Sequence, residues 1–135
     1  MTEPSLRYQT TLDGISPDSF HPGFFDGWWN APDAGTHLRI LAGSDAIVLA
    51  LAADEGGGEQ VVGFVTALTD GVLYGVVTLL EVVPQLQGRG IGRQLMERVT
   101  DLLGPLYRID LVCADDVLAF YEKVGYFPGG PGSHA

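Results

Sequence analysis

The sequence predicts an α+β domain spanning residues 1–135, with a single central mixed β-sheet flanked by helices. Three observations carry this. Apolar runs at 46–53, 61–68 and 72–83 follow one another through short turns rich in Asp and Gly, the signature of neighbouring antiparallel strands. The third run passes through a glycine-rich turn into residues 90–103, whose apolar positions 91, 95, 99, 102 and 103 recur at helical spacing. A further apolar run at 108–113 follows that helix, and a strand–helix–strand step of this length makes a parallel, right-handed crossover.

The elements read as follows. Residues 6–10 have strand character, and Ser16-Pro17-Asp18-Ser19-Phe20 opens a helix with Ser16 as cap and Pro17 in its first turn. The next stretch gathers Phe20, Phe24, Phe25, Trp28 and Trp29, interrupted by Pro22, Gly23 and Gly27. So aromatic a loop reads as a pocket wall able to stack on an amine, as a plug over one sheet face, or as a dimer surface. Pro32-Asp33 starts a helix carrying His37, Leu38, Ile40 and Leu41 and ended by Gly43. His37 reads there as a polar helix residue.

The unbroken run 46–53 is a strand covered on both faces, 54–59 is a loose hairpin loop, and Asp70-Gly71 marks a tight turn. Beyond the long helix, Gly104-Pro105 breaks the chain. Residues 117–123 form a short helix with Asp116 as N-cap, 125–127 a last short strand, and 128–135 a disordered end.

Composition narrows the function. With 7 basic and 17 acidic residues the net charge is −10, which argues against a nucleic-acid partner. No run of about 18 apolar residues is present, and Met1-Thr2-Glu3-Pro4 is unlike a signal peptide; the expectation is a cytoplasmic protein without membrane contact. The lone Cys113 has no partner for an intramolecular disulfide and reads as a small core filler. His21, His37 and His134 show no ligand spacing, so no metal is expected.

The turn Gln87-Gly88-Arg89-Gly90-Ile91-Gly92-Arg93 is the candidate site. Its glycines let backbone approach a ligand, and the helix behind it offers unpaired N–H groups and a positive dipole end, a cradle suited to pyrophosphate. Of the 7 basic residues, Arg89, Arg93 and Arg98 fall on this loop and helix. A P-loop would place Lys and then Ser or Thr where Arg93-Gln94 stands, and the even glycine spacing does not fit a dinucleotide fingerprint.

Gln87-Gly88-Arg89-Gly90-Ile91-Gly92 resembles the acyl-CoA pyrophosphate loop of the GNAT superfamily of N-acetyltransferases, written Gln/Arg-x-x-Gly-x-Gly/Ala. Leu80-Glu81-Val82-Val83-Pro84 resembles the family's fourth strand entering that loop. A second block, from Asp116 through Ala119, Phe120, Tyr121 and Lys123 to Gly125-Tyr126, is similar to Asn-x-x-Ala-x-x-Phe-Tyr-x-Lys-x-Gly-Phe in outline, with Asp116 where the family often has Asn. The element order matches the GNAT fold over nearly the whole chain.

The resemblance implies transfer of an acetyl group from acetyl-CoA to a primary amine of a small molecule. A protein lysine or N-terminal acetyltransferase and a non-catalytic acyl-CoA-binding regulatory module stand as alternatives. It implies that Gln87, Gly88, Arg89, Gly90, Ile91 and Gly92 hold the pyrophosphate with Arg93 adding charge, and that Asp116 lies near the cofactor. It further implies that a backbone N–H at Val82 or Val83 meets the developing oxyanion, and that Tyr121 protonates the leaving thiolate. Glu81, an acid in an apolar strand, is either the base that takes the amine proton or a residue turned to the other sheet face. Phe25, Trp28 and Trp29, with Phe24, would form the acceptor wall. The family usually ends in a hairpin, whereas about ten residues follow Gly125 here, which implies an open site or one completed by a second subunit of a homodimer.

Overall fold

The computed structural model describes residues 5–25 and 32–128. Strands β1 (Leu6–Gln9), β2 (Ala46–Ala53), β3 (Glu59–Thr69) and β4 (Tyr74–Val82) pair antiparallel in succession, and β5 (Arg108–Leu111) joins β4 in parallel. Helices α1 (Ala34–Ala42), α2 (Ile91–Leu103) and α3 (Leu118–Lys123) flank this mixed five-stranded sheet, with 3-10 turns at Pro17–Ser19, Pro22–Phe25, Pro84–Leu86 and Asp115–Val117.

Burial explains the composition of each element. β2 is buried from Ala46 to Ala52, as its unbroken apolar run requires of a strand covered on both faces. α1 begins where the Asp33 carboxylate accepts the Thr36 N–H at 2.8 Å and ends at Gly43. α2 lays Ile91, Leu95, Met96, Val99 and Leu103 on the sheet. Leu102 falls on that stripe at about 100° per residue yet is 46% exposed; it sits in the last turn of α2.

Opposite sheet faces meet different helices. A Cβ at Gly63 would stand 3.2 Å from Leu95, on α2, whereas the adjacent Phe64 meets His37 of α1 edge-on with centroids 5.6 Å apart. On β4 strict alternation fails. Gly75 faces α2, since a Cβ there would meet Leu103, yet Glu81, an even number of positions later, reaches His37 on the other side. The register shows why: Thr66 pairs with Leu79 and Ala67 with Val77, leaving Thr78 as an extra residue in β4. This β-bulge reverses the inside–outside count of everything after it. The Thr78 hydroxyl is tied down by the Thr66 hydroxyl at 2.7 Å and by the Thr66 carbonyl, which accepts from it at 3.1 Å.

Several boundaries differ from the sequence-based expectation. β4 starts at Tyr74 rather than 72 because Asp70 Oδ1 accepts the N–H groups of Val72, Leu73 and Tyr74 and holds them in the turn. The helix expected from Ser16 is a single 3-10 turn, Pro17–Ser19, with Ser19 Oγ accepting the Ser16 N–H. Asp116 is not an N-cap. It sits inside the 3-10 turn Asp115–Val117, and Val117 occupies the capping position of α3. Residues 125–127 form no strand: the N–H groups of Gly125 and Tyr126 bond back to Glu122 and Tyr121, closing α3. The Tyr126 hydroxyl then meets Thr100 Oγ1 at 2.6 Å, fixing this end to α2. Apart from Pro128, the end expected to be disordered lies outside the described residues.

Candidate active site

The cradle forms where β4 turns into α2. Gly88 and Gly90 have φ of 80° and 84°, a left-handed conformation that side-chain-bearing residues rarely adopt, and Gly90 is the N-cap of α2. No side chain caps this helix, and its first internal bond runs from the Gln94 N–H to the Gly90 carbonyl. The N–H groups of the preceding turn therefore point outward with the positive end of the dipole. Gly92 serves a different need, since a Cβ there would stand 3.3 Å from the Phe120 ring. Its absence lets α3 pack on the first turn of α2.

These elements enclose a cavity of about 470 Å³ lined by Leu80, Val82, Leu86, Gln87, Gly88, Gly90, Ile91, Gly92, Arg93, Val117, Phe120 and Tyr121. β4 borders it because the strands part: β5 pairs with β4 only from Tyr74 to Val77, leaving the 80–82 edge unclasped on that side. The Val83 N–H donates to the Val62 carbonyl at 2.9 Å, on the β3 side. In an antiparallel ladder alternate residues direct their N–H groups to opposite sides, so the Val82 N–H turns into the gap. The Val82 carbonyl accepts from Gln87 Nε2 at 3.1 Å, which ties the loop to the strand.

A smaller hollow of about 140 Å³ lies beside Glu81, lined also by Gly23, Phe24, Leu80, Val82, Pro84 and Gln87. Leu80, Val82 and Gln87 belong to both linings, so the two spaces meet across β4. Hollows of about 600 and about 630 Å³ occur elsewhere, but neither touches the glycine loop or Glu81.

Glu81 and His37 are both buried, and Glu81 Oε2 lies 3.2 Å from His37 Nε2. His37 Nδ1 lies 3.0 Å from the Asp33 carbonyl oxygen. A carbonyl only accepts, so Nδ1 carries the hydrogen. Rings of Phe20, Phe24 and Phe64 surround the imidazole at 5.6–6.0 Å. Burial pushes the Glu81 carboxyl above its ordinary range, with His37 pulling the other way less strongly. Tyr121 is half-buried in the cavity wall, and its phenol is raised chiefly by burial and further by the neighbouring Cys113.

The structure thus gathers Val82, Gln87, Gly88, Gly90, Ile91, Gly92, Arg93 and Tyr121 around one cavity. Arg93 Nε is held by Glu97 at 2.9 Å. Val83 is buried with its N–H committed to Val62, and Arg89 and Asp116 are exposed outside the lining. Arg98 leaves the cradle altogether and lies 4.2 Å over the Tyr8 ring. Trp28 and Trp29, and the side chain of Phe25, lie outside the described residues. Phe24 packs in the core against Phe20 and Phe64 while its edge lines the smaller hollow. Cys113 is half-buried against the core.

Sequence reasoning missed the burial of His37 and its union with Glu81. The available signal was its place one helical turn before the buried Leu41, on the covered face of α1. Among the described residues no group of three or more His, Cys, Asp or Glu could hold a metal ion, and no helix is long and apolar enough to cross a membrane.

Comparison with known proteins agrees with this geometry. Residues 44–127 match the family described as "Acetyltransferase (GNAT) domain". A candidate acetyltransferase from Deinococcus radiodurans R1 superposes with a TM-score of 0.85 at 44% identity, over 96% of this chain and 90% of that one. A GNAT-family acetyltransferase from Streptococcus pneumoniae TIGR4 gives 0.64 at 26% identity, over 92% and 87%. By sequence, the chain is 38% identical over 90 residues to serotonin N-acetyltransferase 2, chloroplastic, from Oryza sativa subsp. japonica, a match covering 65% of this chain and 44% of the rice protein. It is 26% identical to an uncharacterized N-acetyltransferase of Porphyra purpurea over 74% of this chain and 58% of that protein, so it spans about half the length of these relatives. The match over 44–127 and the likeness to the Deinococcus protein show that this chain belongs to the GNAT family of acetyltransferases.

Proposed function

We propose that the protein transfers an acetyl group from acetyl-CoA to a primary amine of a small molecule. The observation that carries this is the cavity of about 470 Å³ that unites an uncapped helix N-terminus, the unclasped edge of β4 and Tyr121. Its lining fits an acyl-CoA, with backbone donors of the 88–93 loop for the pyrophosphate and Leu80, Val82, Leu86, Val117 and Phe120 for the carbon segments of the extended pantetheine arm. Bound there, acetyl-CoA would supply an acetyl group activated as a thioester.

The chain's own residues would do the rest. Arg93 adds positive charge beside the loop donors. The Val82 N–H, turned into the gap, stabilises negative charge on the acyl oxygen. The Tyr121 hydroxyl donates a proton to the leaving sulfur. Glu81, across β4 beside the smaller hollow, takes a proton from the incoming ammonium. That hollow, about 140 Å³ among the described residues, suits the end of a small amine better than a polypeptide segment. The rice relative is named for serotonin, itself a primary amine, and this likeness supports the same acceptor class.

Calorimetric titration with acetyl-CoA, alongside the Gly90→Asp variant, tests the reading first. Micromolar binding by the wild type, abolished by a carboxylate in the cradle, is expected. A panel of amines assayed for CoA release then defines the acceptor. A folded wild-type protein that binds no acetyl-CoA overturns the proposal, and acetylation of peptides but of no free amine replaces the acceptor.

A further inference from the structure

His37 and Glu81 close a proton-accounting problem that neither residue poses alone. His37 Nδ1 is committed as donor to the Asp33 carbonyl, which also accepts the His37 backbone N–H at 2.9 Å. Its Nε2 faces the Glu81 carboxyl at 3.2 Å, and the imidazole is fully buried. With no proton between them, a nitrogen lone pair would face a carboxylate, and with two, the pocket would hold an imidazolium against a neutral acid. One proton satisfies both atoms, either on Nε2 or on Oε2.

We propose that His37 is a positioning residue for acetyl transfer: the proton taken from the amine becomes the single buried proton shared between His37 and Glu81, so that the pair, rather than the lone carboxylate, is its acceptor. This rests on the acetyl-transfer reading above.

The balance is simple. An alkylammonium gives up one proton before its nitrogen can bond to the acyl carbon, and a second as the amide forms. The carbon–sulfur bond breaks and the thiolate takes up one proton, so each turnover leaves one to be carried to solvent. Glu81 borders the smaller hollow and can receive that proton. His37 can store it on Nε2, while its Nδ1 is engaged with the Asp33 carbonyl. Return through Glu81 then delivers the proton to the smaller hollow.

Among the described residues the ionisable groups facing His37 are Asp33, at the start of its own helix, and Glu81, on β4. The Pro17–Phe25 region and β3 present the rings of Phe20, Phe24 and Phe64.

His37→Gln separates this role from packing. The glutamine amide can donate to Glu81 but cannot hold a proton, so the acidic limb of the kcat/KM profile for the amine should move to lower pH by about one unit, with acetyl-CoA affinity unchanged. A limb that stays in place while the variant remains folded and active overturns the proposal. A second measurement needs no turnover: nitrogen-15 spectra of the His37 ring in the wild type should show Nδ1 protonated throughout and Nε2 titrating once, a step abolished by Glu81→Gln. An unprotonated Nδ1, or a ring indifferent to Glu81→Gln, would equally overturn it. If no amine is acetylated at all, the proposed function fails, and the ring nitrogens alone decide whether the shared proton exists.

Discussion

The ring of Phe120 lies so close over Gly92 that a Cβ at that glycine would stand 3.3 Å from Phe120 Cζ. The same ring meets Tyr121 edge-on, with centroids 5.0 Å apart. The first turn of α2 is therefore linked through one aromatic side chain to the tyrosine in the cavity wall.

Gly92→Ala should test that linkage. The new methyl forces Phe120 to yield by a few tenths of an ångström, and Tyr121 moves with it. Turnover at saturating acetyl-CoA should fall several-fold, since displacements well under an ångström matter to reacting groups. Stability should change by less than about 1 kcal/mol, because alanine's helix propensity offsets the crowding. Steady-state kinetics beside a thermal melt make the comparison, and unaltered turnover would show the two rings to be independent.

Tyr121→Phe removes only the hydroxyl. Burial holds this phenol above its ordinary range, so the protonated form persists through neutral pH and beyond the usual value of about 10. Loss of the proton donor should lower kcat about a hundredfold or more, while calorimetry shows acetyl-CoA binding preserved. Equal rates for the two proteins would take Tyr121 out of the reaction.

Glu81→Gln should separate stability from activity. Burial raises the folded-state pKa of this carboxyl above its unfolded value. As pH rises the unfolded chain thus loses the proton first. The native state's relative stability is complete below the unfolded value, about 4.3, and is lost as pH climbs through the higher folded one. The isosteric amide escapes this penalty and can still donate to His37 Nε2. The variant should melt higher than wild type at pH 8, with the advantage gone near pH 4.5 and activity strongly reduced. A variant less stable than wild type at pH 8 contradicts the account.

The parts of this fold that could be read from the sequence are those with local causes. The runs that became β2 and β3 declare themselves because a strand covered on both faces must be apolar throughout. The glycine loop does so because left-handed residues at 88 and 90 restrict the choice of amino acid where they occur. Leu102 and the 125–127 segment depart from expectation at the margins, where a helix's last turn or one helix-closing bond decides the outcome. The His37–Glu81 contact joins residues 44 positions apart and depends on which face of β4 presents the carboxylate. Hydrophobic periodicity carries no record of that choice, because the Thr78 insertion alters the count without altering the character of the residues around it.

That insertion makes β4 a strand in which arithmetic is chemistry. Substitutions between Gly75 and Glu81 change what one compartment contains, whereas adding or deleting a residue there would exchange the contents of two. The carboxylate would pass to the α2 side, and an aliphatic side chain would take its place next to His37. Anyone grafting this strand into another scaffold, or recombining it between homologous enzymes, must transplant its length together with its letters. A chimera one residue short would keep every side chain the reaction calls for and deliver the carboxylate to the wrong room.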